Sequence, residues 1–106
     1  MTHAPETLRS HLQALATLAR APQPDGRRLQ AQFLLTQQFF QHQILPLGEL
    51  QPAVQPVITE MNRSLRLLAM DVAFLQAARQ SITAQQRQGQ MIEKLDQLLG
   101  FCEAIM

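Results

Sequence analysis

Three histidines, one cysteine and eight carboxylates are the groups in this chain that could hold a metal, attack a carbonyl or relay a proton. A metal site needs such donors to converge, which on a helix means ligand pairs one turn apart. His3, His11 and His42 are scattered, and none is read as half of a ligand pair. Cys102 falls on an apolar stripe between Leu98 and Ile105, where a buried structural thiol is expected rather than a nucleophile. Glu93 and Asp96 are one turn apart on a polar face, which reads as solvated charge rather than an acid–base pair. Gly26, Gly48, Gly89 and Gly100 stand singly, so no glycine-rich phosphate loop can form. The expectation is a protein without catalytic residues, cofactor or metal.

The elements that carry these residues are helices. Apolar residues recur at Val57, Met61, Leu65, Leu68, Val72 and Leu75, and the rhythm resumes at Met91, Leu95, Leu98, Cys102 and Ile105. Steps of three and four follow the helical period and leave little room for a sheet. A helix over about 5–20 carries the stripe Leu8, Leu12, Leu15 and Ala19. A second over about 27–44 carries Leu29, Phe33, Thr36, Phe40 and Ile44, with Leu35 and Phe39 widening one edge. Between them, two prolines and Asp25-Gly26 make a loop. Leu45-Pro46-Leu47-Gly48 is read as the stop of the second helix.

The third helix is expected over about 53–79 and the fourth over about 83–105, opened by a capping box of Thr83 and Gln86. Short connections favour antiparallel neighbours. The predicted architecture is therefore a single all-α domain, a four-helix bundle with a long C-terminal hairpin. The alternative folds the first two helices over an extended hairpin made by the last two.

Composition narrows the function classes. With 106 residues, 46% apolar and only 16% charged, the chain can bury one core without staples. Glutamine, 17 of them, supplies much of the polar helix surface. A net charge of +1, no Tyr or Trp, and a single basic doublet at Arg27-Arg28 argue against nucleic acid. One cysteine excludes an internal disulfide. Neither a secretion signal nor an apolar run of the ~20 residues a membrane span needs is visible, so a cytoplasmic protein is expected.

The third helix is apolar on a second face. Leu67, Met70 and Phe74, with Ala77 and Ala78, lie nearly opposite Leu65, Leu68, Val72 and Leu75. A helix apolar on two faces normally touches protein on both. Either the second stripe packs on one of the first two helices, or part of it stays open for a partner. Arg63, Arg66, Asp71 and Arg79 rim it. Arg79 is expected first to cap the helix end or pair across the hairpin, ahead of a direct contact to a partner, and Asp71 is expected to pair with an arginine of the same chain.

The tract from Leu65 to Gln80, followed by Thr83, Gln86-Arg87, Leu98, Phe101-Cys102 and Ile105, resembles the PatD family of cyanobacteria, the heterocyst frequency control proteins. The Leu67-Leu68 pair, Asp71, Phe74, Ala78-Arg79-Gln80, Thr83, Arg87 and Cys102 carry the resemblance, which covers about the last 45 residues. It implies a small helical regulator without enzymatic activity, linked to heterocyst differentiation and to the division GTPase FtsZ, whose polymer assembly it alters. It transfers no functional residues.

Three functional expectations follow. The first is a protein-binding regulator presenting Arg63, Arg66, Leu67, Met70, Asp71, Phe74 and Arg79 to a partner of the FtsZ type. The second is a helical homodimer or assembly protein whose second stripe is consumed by self-association. The third, a bundle holding a small ligand or pigment, lacks convergent polar anchors.

Overall fold

A computed structural model describes residues 3–77 and 81–106 and is all-α, with no strand among the described residues. Helix α1 spans Ala4–Ala19 and α2 spans Gly26–Phe39. A π-helical turn, Phe40–Ile44, leads into the short α3, Leu45–Leu50. A 3-10 turn at Pro52–Val54 precedes α4, Gln55–Ala77, and α5 covers Ser81–Ala104.

The four long helices form an antiparallel ring in the order α1, α2, α4, α5, each packed on its two neighbours. Apolar stripes from all four meet along the axis of a rod 45 Å long and less than 20 Å across. Leu8, Leu12 and Leu15 of α1, Leu29 of α2, Met61 and Leu68 of α4, and Met91, Leu95 and Leu98 of α5 are completely buried. Each such side chain contributes roughly 1.5–3 kcal/mol relative to exposure. On α4 the core position near the start is Ile58, while Val57 is half-buried. Leu35 does not widen the apolar edge of α2: it is exposed, and only Phe39 packs there.

Pro46 does not end the second helical segment. The Leu45 N–H donates to the Phe40 carbonyl, one residue further back than in an α-helix. That shift places Pro46 in the first turn of α3, where its missing N–H leaves no bond unmade. The chain leaves helical geometry only at Gln51, just before Pro52.

Other ends are fixed by side chains. The Asp25 carboxylate accepts from the Arg27 and Arg28 N–H groups at 3.0 and 3.3 Å, capping α2. Gln88 of α5 donates to the Ala19 and Ala21 carbonyls at 2.7 and 2.9 Å, satisfying the end of α1. A Cβ on Gly26 would stand 3.2 Å from the Gln76 backbone, so α2 and α4 meet closely there. Thr83 lies inside α5, which begins at Ser81, and so does not open that helix.

Candidate partner-binding face

Helix α4 turns one side to the core and the opposite side to solvent, which answers the question its two apolar stripes pose. Leu65, Leu68 and Val72 are buried. Leu67 is 42% exposed and Met70 64%, with Phe74 half-buried in line with them. Neither α1 nor α2 covers that stripe, because α2 occupies the other flank of α4 through Gln76 and its neighbours.

Along the seam with α5, the charged residues sort themselves by height. Asp71 is buried, with 1% of its surface exposed. Its two oxygens accept from Arg87 Nη1 at 3.2 Å and from Lys94 Nζ at 2.7 Å. Arg87 and Lys94 are seven residues apart, so both fall on the side of α5 that faces α4. The Arg87 guanidinium also lies 4.6 Å from the centre of the Phe74 ring, covering it. Asp71 is therefore not a contact residue for a partner: a carboxylate at this depth needs counter-charges, and its own chain supplies two. The expectation of an intramolecular arginine holds, and Lys94 is the partner that periodicity alone did not show.

Further along the seam, Leu67 lines an open groove with Ser64, Gln97 and Phe101, bounded by Glu60 and Arg63. Gln97 and Phe101 were not among the residues expected in the site. The signal for Phe101 was available, since Arg87, Lys94 and Phe101 repeat every seven residues on α5, and Gln97 follows Lys94 by one turn. Arg63 is exposed and pairs loosely with Glu60 at 3.6 Å. Arg66 is exposed and has no ion pair among the described residues. Of the seven expected site residues, Arg63, Arg66, Leu67, Met70 and Phe74 share this face. Asp71 lies beneath it, and Arg79 lies outside the described residues.

The groups that could do chemistry are dispersed. No cluster of three or more His, Cys, Asp or Glu side chains able to hold a metal occurs among the described residues. His3 does have a carboxylate one turn on, Glu6 at 3.7 Å, but both are largely exposed. His11 packs against Phe39 with ring centres 5.3 Å apart, and its Nδ1 is 3.3 Å from Gln32 Nε2. The Cys102 thiol is buried and donates to the Pro5 carbonyl at 2.9 Å. Burial pushes its pKa up from 9.0 to about 11, so it stays a thiol rather than a thiolate. A hollow at one end of the rod, lined by His3, Pro5, Glu6, Leu47, Gln51 and Ile105, has exposed or half-buried walls apart from Pro5, and no buried charged or polar side chain lines it. No helix among the described residues is long and apolar enough to cross a membrane.

Compared with known families, residues 6–100 match the family model described as the CRR41 C-terminal domain. The chain belongs to the CRR41 C-terminal domain family. No curated protein and no solved structure gives a significant match. The family assignment overturns the PatD resemblance. The CRR41 C-terminal domain match runs through α1 and α2, where the PatD resemblance was silent, as well as through the hairpin. Many of the residues behind that resemblance are structural. Leu68 and Cys102 are core positions, and Asp71 and Arg87 tie one helix to the next. Core positions and ties between neighbouring helices serve packing in many helical hairpins, so they say little about ancestry.

Proposed function

We propose that this CRR41 C-terminal domain is a non-enzymatic protein-binding module that docks another protein on the outer face of α4. The observation that carries the reading is the exposed line of Leu67 and Met70 on a helix whose opposite face is fully used by the core. Solvent-facing apolar side chains at helical spacing, rimmed by charge, are the usual footprint of a partner site. FtsZ, cell division and heterocyst differentiation entered only through the PatD resemblance and go no further with it.

The alternative of a homodimer through the same face is disfavoured by its charge. In a two-fold contact a patch meets itself. The face would have to complement itself, and on its exposed part Arg63 and Arg66 have one carboxylate, Glu60, to share, since Asp71 is buried under Arg87 and Lys94. A different protein can supply what a second copy cannot.

Photo-crosslinking tests this. A photoreactive residue at position 67 or 70 should yield the same discrete adduct in an extract of the source cells, and one at Leu35 should not. Sedimentation should show a monomer at micromolar concentration. Adducts at all three positions alike, or a dimer dissolved by Leu67→Glu, would sink the proposal.

A further inference from the structure

Resting on the reading of α4 as the docking face, we infer that the segment it takes is an amphipathic helix with an acidic edge. Shape comes first. Leu67, Met70 and Phe74 are spaced by three and four residues along the outer side of α4, and Leu67 also lines the groove on the α4–α5 seam with Gln97 and Phe101. A ridge of apolar residues beside an open groove between two antiparallel helices accepts a third helix lying parallel to them. Helices read such grooves through apolar anchors at i, i+3, i+4 and i+7.

Charge then selects the edge. Arg63 lines this groove, the exposed Arg66 adjoins Leu67 in the chain, and Arg87 and Lys94 stand further along the same seam, against the carboxylates of Glu60 and Asp71. Both carboxylates are already paired, and a positive surplus remains even when the exposed Glu93 of α5 is counted. Arg66 has no counter-ion among the described residues, and Arg63 holds Glu60 only at 3.6 Å with both side chains more than half exposed. A neutral or basic segment laid over Leu67 would strip water from these guanidinium groups and return nothing. Carboxylates flanking the partner's apolar anchors would pair with them. Nucleic acid, the other common polyanion, finds no open aromatic platform here, since Arg87 covers Phe74 and Phe101 is half-buried.

The test uses the full chain and a displayed library of random peptides long enough for about four helical turns. Selection runs on the native protein, with counter-selection on the Leu67→Glu/Met70→Glu variant after circular dichroism confirms that it is folded. Peptides retained by the native protein alone should be net negative, with apolar residues at helical spacing. Measured by fluorescence anisotropy, their binding should weaken roughly tenfold in Arg66→Glu and fall further as salt is raised. Peptides that need Leu67 and Met70 but are neutral or basic would overturn the acidic edge and leave the α4 face standing. Peptides indifferent to the Leu67→Glu/Met70→Glu change, or no enrichment at all, would overturn both.

Discussion

Asp71 offers the sharpest test of how the hairpin is held. Its carboxylate is buried and accepts two charge-assisted hydrogen bonds, from Arg87 at 3.2 Å and Lys94 at 2.7 Å. Replacing it by asparagine keeps the shape and removes the charge. Stranding a fully buried ion costs about 3–5 kcal/mol. Here the stranded groups are the cations, whose side chains are 38% and 22% exposed, so both can recover part of their hydration. The expected loss is therefore smaller, about 2 kcal/mol, close to that of one or two hydrogen bonds to a charged group. For a domain of this size that lowers Tm by roughly 10 °C.

Urea unfolding of the native chain, Asp71→Asn, Lys94→Met and the double variant closes a cycle. It should return a coupling of at least about 1 kcal/mol. Asp96→Asn is the matched control. Its bond to Arg20 is just as short, 2.8 Å, but both side chains are more than half exposed. It should change stability by less than about 1 kcal/mol. If Asp71→Asn costs no more than Asp96→Asn, burial does not set the strength of this bridge and the reasoning fails.

Three further outcomes follow from the same structure. Because burial raises the Cys102 pKa from 9.0 to about 11, the folded chain holds that proton more tightly than the unfolded chain. The resulting stability is intact below pH 9 and is lost as pH rises through 11, by up to about 2–3 kcal/mol, and Cys102→Ala should flatten that decline in alkaline denaturation curves. The thiol should resist a disulfide reagent at pH 8 until the chain is unfolded. Asp25→Ala removes the α2 cap and should cost about 1 kcal/mol, with faster amide exchange at Arg27 and Arg28. Met70→Glu, at an exposed position, should leave the unfolding midpoint within about 0.5 kcal/mol of the native chain while abolishing the photo-crosslinked adduct.

What the sequence could and could not disclose follows from range. Periodicity reports which face of a helix is apolar, so the α1 stripe of Leu8, Leu12, Leu15 and Ala19 and most of the core of α4 and α5 were legible. The all-α bundle follows from those stripes and the short connections. Pro46 misled because its usual effect assumes an α-helical register, and the preceding π-turn removes the clash. Leu35 misled because periodicity identifies an apolar residue without showing whether anything arrives to cover it. The seam was half legible. Asp71 clearly needed a counter-charge, but choosing Arg87 and Lys94 required the register of α4 against α5, which depends on contacts 16 and 23 residues away. The PatD resemblance failed for a related reason: residues selected by hairpin packing are shared by unrelated hairpins.

The buried bridge and the proposed docking face are two consequences of one arrangement. Asp71 draws Arg87 and Lys94 toward α4, and Arg87 then lies over Phe74 and closes the stripe at that end. One carboxylate cannot neutralise two cations, so the seam that locks the hairpin also stays positive. Leu67 and Met70, lacking any such cover, remain the apolar part of the surface. A partner binding there need not rearrange the bundle, since its anchors would sit above a core already complete. On this account Asp71→Asn should destabilise the chain yet, at temperatures where it is still folded, strengthen rather than weaken the capture of an acidic helix. The two cations it releases would then be free to pair across the groove. Weaker capture by folded Asp71→Asn would show that the bridge itself shapes the site, and that the charge surplus is incidental.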